Sequence, residues 1–318
     1  MDQQDLVQKI KQLKEEKHAL IVAHYYVEDE IQEIADYVGD SYYLSKICKQ
    51  REENLIIFCG VAFMGESAKI LSPQKRIIMP NKYSDCPMAH MIDIKKIEEV
   101  KAQYEDLAVV CYINSSAQIK AHADVIVTSS NAYHIVSKLK QKNIFFIPDQ
   151  HLGRHLAKQL PEKHFIFNDG FCHVHTNITK QELEEQRKRH PLAEVLVHPE
   201  CSADITEQAD YVGSTAGMIN YATNSSKLEF IICTEVGVLH ELRKKNPNKQ
   251  FFSVSDQFIC PNMKRITLKN VYEALVYADE MKQEDGVDCS DVIKDMQVEE
   301  SIARKAECAL IKMHELGE

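Results

Sequence analysis

The segment LIVAHYYVEDEIQEIADYVGDS at residues 20–41 decides the fold, because its pattern returns twice more along the chain. The second copy is AVVCYINSSAQIKAHADVIVTSS at residues 108–130, and the third is EVLVHPECSADITEQADYVGST at residues 194–215. Each copy has an apolar run, a polar residue at its end, an Ala-Asp pair whose aspartate follows that polar residue by 12 positions, and a small hydroxyl cluster. Self-similarity at a fixed period indicates a repeated supersecondary unit.

The shared register continues beyond these segments. Each copy is followed by a second β-rich run, a helical pattern that ends near a proline, a further short strand and a loop with one cysteine. These cysteines, 86 and 88 residues apart, are Cys86, Cys172 and Cys260. Strands that alternate with helices predict parallel sheets with right-handed crossovers. The sequence therefore predicts an α/β fold of three related units.

The repeat also predicts the limits of these units. The first occupies residues 1–105, including an N-terminal helix, the second 106–192 and the third 193–289, and a C-terminal helix at 290–318 joins the first unit. Ligands of open parallel sheets bind beyond the carboxyl ends of the strands. If the three units pack around a pseudo-threefold axis with these ends inward, the three cysteines converge on one central active site.

Composition excludes several classes of protein. The 318 residues include 38 Lys plus Arg against 48 Asp plus Glu, a net charge of −10, which argues against nucleic acid as a partner because a phosphate backbone needs a cationic face. No apolar run approaches the roughly 18 residues that span a bilayer. The first residues are charged and lack the apolar core of a signal peptide, so we expect a cytoplasmic protein. Their apolar positions predict an amphipathic helix: Leu6, Ile10, Leu13 and Leu20.

The ten cysteines divide into those that recur at an equivalent position of the three repeats and those that do not. A single cysteine is most often a buried thiol, but equivalent placement of Cys86, Cys172 and Cys260 in three repeats favours a shared metal centre. Three thiolates leave one iron of a 4Fe-4S cluster open, and an open metal position permits Lewis-acid catalysis. Cys201 is the rival ligand, because it follows His198 and Glu200, but it has no cysteine counterpart in the other repeats.

Polar residues at equivalent strand ends predict what faces this centre. Hydroxyl residues that precede helical patterns cap the helix or, with free backbone N–H groups, hold an anion; they are Ser41, Ser129, Ser214 and Thr215. The positions at the strand ends and two residues beyond supply further donors and acceptors: His24, Tyr26, Tyr112, Asn114, His198 and Glu200. Glu200 beside histidines is a candidate general base.

At these residues the chain resembles the quinolinate synthase family, iron-sulfur enzymes of de novo NAD biosynthesis. The resemblance runs from about residue 24 to 263 and includes AHYY, IADYVGDS, GVAFMGESAKIL, GFCHVH, VHPEC, VGST and CPNMK in this order. It implies three three-layer α/β/α units around a pseudo-threefold axis and one 4Fe-4S cluster held by Cys86, Cys172 and Cys260. It further implies condensation of iminoaspartate with dihydroxyacetone phosphate to quinolinate, with loss of phosphate and water.

The resemblance also assigns roles to residues. Glu200, Tyr26, His198 and His175 would be catalytic, and the open iron of the cluster would act as the Lewis acid. The positions that would contact substrate, some of them shared with catalysis, are His24, Ser41, Tyr112, Asn114, Ser129, His198, Glu200 and Thr215. An aspartate-oxidising enzyme that supplies iminoaspartate is the implied functional partner.

The chain departs from the family pattern at two places. Gln257 and Val254 stand where some members carry extra cysteines, so we expect no disulfide switch there. Asp40 beside Ser41 would repel an anion unless it faces away.

Two alternative functions stay open. A non-enzymatic iron-sulfur redox sensor would also use an incomplete cluster, although no basic DNA-binding helix accompanies it. A zinc-dependent lyase with Cys and His ligands is the second alternative.

Overall fold

The computed structural model describes residues 2–280 and 292–317 and contains three sheets of parallel strands. The strands are β1 Ala19–His24, β2 Tyr37–Gly39, β3 Leu55–Cys59, β4 Arg76–Met79, β5 Leu107–Tyr112, β6 Val125–Val127, β7 Asn143–Ile147, β8 His164–Phe167, β9 Glu194–Val197, β10 Tyr211–Val212, β11 Glu229–Cys233, β12 Gln250–Ser253 and β13 Lys294–Asp295. The helices are α1 Gln3–Glu16, α2 Asp29–Ile34, α3 Ser41–Gln50, α4 Ala62–Leu71, α5 Ile94–Lys101, α6 Ala117–Lys120, α7 Ala132–Lys138, α8 Gln150–Gln159, α9 Lys180–Arg189, α10 Ala203–Thr206, α11 Thr215–Asn224, α12 Val238–Lys245, α13 Leu268–Glu280 and α14 Glu300–Leu316.

The three sheets share one topology. Their orders are β2-β1-β3-β4, β6-β5-β7-β8 and β10-β9-β11-β12, all parallel, and β13 adds an antiparallel edge strand beside β4. The central strands β1, β3, β5, β7, β9 and β11 are buried along almost their whole length, as expected for strands covered by helices on both faces. The prediction of an α/β fold built from three parallel-sheet units is confirmed.

The repeated aspartate has a structural role in each sheet. The Oδ2 of Asp36 accepts the backbone N–H of Ile21 at 2.9 Å. Asp124 accepts Val109 N–H at 2.7 Å and Asp210 accepts Val195 N–H at 2.8 Å. Each aspartate lies 15 residues after its partner. The side chain therefore ties the short edge strand to the first strand of its sheet, which explains why the residue recurs.

A repeated lysine secures the helix that follows each edge strand. The Nζ of Lys75 donates to Cys48 O at 2.8 Å, within the last turn of α3. In the other two sheets Lys163 donates to Gln141 O at 2.9 Å, just beyond α7, and Lys249 donates to Ser225 O at 2.6 Å, at the end of α11. A cation at a helix C-terminus satisfies carbonyls that have no intrahelical partner and complements the helix dipole.

The chain divides into two compact units by its internal contacts. One comprises residues 1–86 and 261–303, with the first sheet, and the other comprises 87–260 and 304–318, with the second and third sheets. The boundaries 1–105, 106–192 and 193–289 of the three repeats stay predictions.

Both terminal helices depart from their predicted extents. The helix α1 ends at Glu16, and Leu20 lies in β1 because the chain turns at His18 with a φ of 48°. The start predicted for the C-terminal helix, residue 290, lies outside the described residues, and α14 begins at Glu300 because residues 294–295 form β13. Every helix in the described part of the chain is too short or too polar to cross a membrane.

Candidate active site and cysteine loops

A buried acid–base cluster lies in the second compact unit, around the Glu200 carboxylate, which is 3% exposed. His175 Nδ1 is 2.8 Å from Glu200 Oε2, and His198 Nδ1 is 3.7 Å from the same oxygen. Asn114 Nδ2 donates to Glu200 Oε1 at 3.5 Å. The structure therefore brings together four of the predicted residues that are 86 positions or fewer apart in sequence.

A tight turn after β9 presents Glu200 to this cluster. The N–H of Cys201 donates to His198 O at 3.0 Å, which closes the turn through Pro199, and the N–H of Glu200 donates to His198 Nδ1 at 3.3 Å. In the first compact unit, Tyr26 N–H donates to His24 Nδ1 at 3.2 Å in the same way. The equivalence predicted for His24 and His198 therefore extends to the side-chain hydrogen bond.

The surroundings of Glu200 keep it ionised. Burial by itself raises the pKa of this carboxyl group, but the charge of His175, its hydrogen bond, the charge of His198 and a hydrogen bond from Tyr112 lower the pKa to about 2. The ionised state of Glu200 therefore depends on the charges and hydrogen bonds that its neighbours supply.

Asp149 shares this region and was not predicted. Burial, followed by the charge of Glu200, raises the pKa of Asp149 well above its usual value. Its Oδ1 accepts Leu152 N–H at 2.7 Å and caps α8, whereas Oδ2 has no hydrogen-bond partner among the described residues. Two acidic groups whose pKa values are pushed apart are typical of functional sites.

The ring of His175 is held on both sides. Its Nε2 is 2.9 Å from Thr234 Oγ1, and its Nδ1 is 3.1 Å from Cys172 Sγ as well as close to Glu200. The edge of Phe258 packs on the ring at 5.3 Å between centroids. Thr234 is fully buried and follows β11 directly. Sequence reasoning missed Thr234, because its repeat counterparts Gly60 and Pro148 have no hydroxyl group.

The predicted ligand cysteines differ from the other described cysteines in their environment. Cys86, Cys172 and Cys260 are partly exposed, and Cys172 and Cys260 pack against one apolar cluster of the second unit. Burial raises the pKa of Cys48 to about 12 and of Cys111 to about 11, and it raises the pKa values of the remaining buried thiols further: Cys59, Cys201 and Cys233. A buried thiol that stays protonated is a poor metal ligand. Cys86, Cys172 and Cys260 are therefore better suited than Cys201 as thiolate ligands of an iron-sulfur cluster, and the exposed Cys308 has no cysteine counterpart in the other repeats.

The same backbone hydrogen bond holds all three cysteine loops. The N–H that follows the third strand of each sheet by three residues donates to the carbonyl two residues before the cysteine, and we name this bond the loop clasp. Its three instances are Ala62 N to Ser84 O at 2.9 Å, Gln150 N to Gly170 O at 2.8 Å and Val236 N to Phe258 O at 3.0 Å. Gly170 is required there, because a Cβ would lie 2.5 Å from Pro148 O.

Cys172, His175 and Glu200 also satisfy the geometry of a metal site on their own. One ligand atom of each lies within 4.8 Å of the others. A thiolate, an imidazole and a carboxylate are ligands that Zn²⁺ accepts. The convergence of Cys86 with Cys172 and Cys260 stays a prediction, because Cys86 lies in the first compact unit.

The hydroxyl residues at the helix starts differ from one another in whether they cap the helix. Asp40, not Ser41, caps α3 by accepting Tyr43 N–H at 2.9 Å, so the acid that we expected to repel an anion has a structural partner. Ser129 lies in a turn before α7, where no side chain makes a cap hydrogen bond to the helix. Only Ser214 caps its helix, with Thr215 as the first residue of α11.

Ser129 and Ser214 nevertheless line one cavity of the second unit. It measures about 460 Å³ and lies between the starts of α7 and α11. Tyr133, His155 and Tyr211 complete its polar wall. The pairing of Ser129 with Ser214 agrees with their predicted equivalence, and Thr215 is buried at the same helix start.

The fold and the buried acid–base cluster at the carboxyl ends of parallel strands define an α/β enzyme. The chain belongs to the quinolinate synthetase A protein family, whose model matches residues 8–315. This membership confirms the resemblance seen in the motifs.

Curated relatives named quinolinate synthase match the chain over nearly its whole length. The protein of Clostridioides difficile strain 630 is 49% identical over 314 residues, which cover 99% of both chains. That of Caldicellulosiruptor bescii is 50% identical over 312 residues, covering 98% of both. That of Fusobacterium nucleatum is 48% identical over 309 residues, covering 97% of this chain and 98% of the relative. The chain is therefore an enzyme of the quinolinate synthase family of NAD biosynthesis, as the motifs indicated.

Proposed function

We propose that the chain condenses iminoaspartate with dihydroxyacetone phosphate and releases quinolinate, phosphate and water. The observation that carries the proposal is the buried Glu200 carboxylate between His175 and His198. Forming an aromatic ring from these two substrates requires repeated transfer of protons to and from carbon, nitrogen and oxygen. A buried carboxylate coupled to two histidines is suited to that task.

Protons move within the cluster as follows. In the resting protein Glu200 is ionised, and a histidine that gives its proton to a leaving hydroxyl group loses the charge that kept the carboxylate weakly basic. Glu200 then becomes the better acceptor for a proton on carbon next to a carbonyl or imine. Asn114 and Tyr112 bond to Glu200 and can orient a substrate carboxylate or carbonyl beside it.

We assign a 4Fe-4S cluster to Cys86, Cys172 and Cys260. Their partial exposure and the shared loop clasp support this assignment. When bound, the iron without a cysteine ligand supplies Lewis-acid polarisation of a substrate oxygen or nitrogen. The described cysteines form no disulfide, which is consistent with a reducing, cytoplasmic location.

Tyr26 is assigned to proton transfer with Glu200, and the remaining predicted residues are assigned to substrate positioning. His24 and Tyr26 present an imidazole and a phenol from the first unit, with ring centroids 4.5 Å apart. Ser41, Ser129 and Thr215 lie at or near helix starts, where backbone N–H groups favour phosphate and carboxylate groups. The unstable imine implies an aspartate-oxidising enzyme as the source of this substrate.

An anaerobic assay tests the proposal. Iron-replete protein is supplied with iminoaspartate, generated in the assay by oxidation of aspartate, and with dihydroxyacetone phosphate. We expect quinolinate and an equal amount of phosphate. If iron-loaded protein forms no quinolinate but changes redox state reversibly, the iron-sulfur redox sensor is favoured. If the active protein is colourless and holds one zinc, the zinc-dependent lyase is favoured.

A further inference from the structure

The loop clasp places one particular residue beside each ligand cysteine. This residue directly precedes the clasp donor and follows the third strand of its sheet by two positions. It is Val61 in the first repeat, Asp149 in the second and Glu235 in the third. Two of the three are acidic, and both acids are completely buried. A buried carboxyl group is costly unless it has hydrogen-bonding partners, so their presence needs a reason.

Glu235 bonds to the backbone of its cysteine. Its Oε1 accepts Cys260 N–H at 3.2 Å, and its Oε2 accepts Gly237 N–H at 2.7 Å. The side chain thus joins the end of β11 to the cysteine loop and to the turn that begins α12. Both carboxylate oxygens are used, and the Cys260 amide is fixed in direction.

Asp149 occupies the same position in the second repeat. An isolated parallel bridge pairs Asp149 with Gly170, which brings the loop of Cys172 against it. The backbone N–H of Cys172 is one of the groups that favour the ionised form of the Asp149 carboxyl. In the first repeat Val61 cannot do this, and Cys86 N–H donates instead to Asp85 Oδ1 at 2.8 Å. Cys260 and Cys86 therefore donate their backbone N–H groups to carboxyl groups, and the loop of Cys172 lies against the carboxyl group of Asp149.

We propose that Glu235 and Asp85 are positioning residues that fix the backbones of Cys260 and Cys86 for the iron-sulfur cluster. The inference rests on the proposed three-cysteine cluster. A carboxyl group that holds the cysteine amide keeps the Sγ in place before iron arrives, so less order must be created on binding. Partners that orient metal ligands typically change metal affinity by roughly 10- to 100-fold when they are removed.

Glu235→Gln tests the proposal with little change in size. A glutamine has one acceptor oxygen and one donor nitrogen, so either Cys260 or Gly237 loses its acceptor. Glu207→Gln is the matched control, because Glu207 is exposed and forms a surface ion pair with Lys158. Both variants and the wild type are reconstituted anaerobically, and iron retention is titrated against a chelator.

We expect Glu235→Gln to hold iron roughly 10- to 100-fold more weakly and to change the electron paramagnetic resonance spectrum of the reduced cluster. Glu207→Gln should match the wild type in both measurements. The spectrum separates positioning from a general loss of stability, since a protein that is only less stable keeps the signal shape while losing intensity.

Two outcomes distinguish this inference from the proposed function. If the wild type assembles no cluster, both the proposed function and the positioning role are wrong. A wild type that assembles the cluster, with an identical spectrum and chelator resistance in Glu235→Gln, overturns the positioning role and leaves the proposed function standing. If Glu235→Gln does not fold, the same comparison on Asp85→Asn, in the partly exposed first loop, decides between the two results.

Discussion

At the scale of single residues, the site depends on one carboxylate whose surroundings have opposing effects on its pKa. Burial favours the neutral form of Glu200, whereas His175, His198 and Tyr112 favour the ionised form. The ionised form wins, with a pKa of about 2, because two charges and two hydrogen bonds converge on it. This carboxylate is therefore weakly basic while these neighbours are in place.

Glu200→Gln tests this role directly. The amide keeps the volume and one acceptor but cannot take up a proton, so we expect kcat to fall by about 10²- to 10⁴-fold with an unchanged iron content. Steady-state rates and iron analysis on the same preparation measure both. Near-normal turnover with an intact cluster would remove Glu200 from the proton pathway.

Thr234 offers a finer test of the same cluster. Thr234→Val keeps the shape but removes the hydroxyl group 2.9 Å from His175 Nε2, so the ring loses the contact that fixes its rotation. We expect kcat to fall about tenfold, the kinetic equivalent of one hydrogen bond of about 1.4 kcal/mol, with KM little changed. Thr234→Ser keeps the hydroxyl group and should restore most of the rate. Equal losses in the valine and serine variants would contradict the assignment.

The pKa of Glu200 also predicts how acid affects stability. Its folded value of about 2 lies below the usual 4.5, so the ionised carboxylate stabilises the fold above about pH 4.5, and this contribution is lost as the pH falls toward 2. The shift corresponds to about 3 kcal/mol. Urea unfolding of cluster-free wild type and Glu200→Gln, from pH 6 down to about pH 3, should show the wild type losing more stability. Parallel pH profiles would contradict the depressed pKa.

At the scale of secondary-structure elements, repeated polar residues hold the sheets together. The lysines at 75, 163 and 249 bond to carbonyl groups at the ends of equivalent helices. Lys75→Met keeps the apolar stem but leaves the carbonyls of Cys48 and Arg51 without this donor, and we expect a loss of about 1–3 kcal/mol in unfolding free energy. Lys269→Met is the control, because Lys269 is mostly exposed and its ion pair is the i,i+4 pair with Glu273 on α13. Thermal or urea denaturation that fails to separate the two would show that the buried lysine is dispensable.

The repeat made the three sheets predictable, whereas the contacts between loops were not. Apolar runs at a fixed period specify parallel strands, because those strands are buried on both faces. The approach of His175 to Glu200 depends on how the loop after β8 packs on the turn after β9, which spacing does not encode. The spacing left capping and anion binding open for Ser41, and it did not show that Asp40, whose carboxylate is the stronger acceptor, caps α3.

Buried partners without a repeated residue type were also missed. Thr234, Asp149 and Glu235 follow strands at related positions, yet their counterparts in the first repeat are Gly60 and Val61. A search for identical residues in register cannot find them. The signal available in the sequence was the acidic character shared by Asp149 and Glu235 two residues after their strands.

At the scale of the whole molecule, the proposed cluster takes one cysteine from each of the three repeats. Alanine at any one of Cys86, Cys172 or Cys260 should therefore abolish most of the bound iron. Cys201→Ala should retain it, because the Cys201 thiol is buried and its pKa is raised. Iron and sulfide analysis after anaerobic reconstitution measures the difference. Retention of a full cluster in any of the three variants would contradict the ligand set.

The most direct test of the central claim is quinolinate formation by iron-replete protein under anaerobic conditions, from iminoaspartate and dihydroxyacetone phosphate. We expect brown protein with about four irons per chain, equal amounts of quinolinate and phosphate, and product formation at least about 100-fold slower in Glu200→Gln at the same iron content. Fully loaded wild-type protein that releases no quinolinate would contradict it.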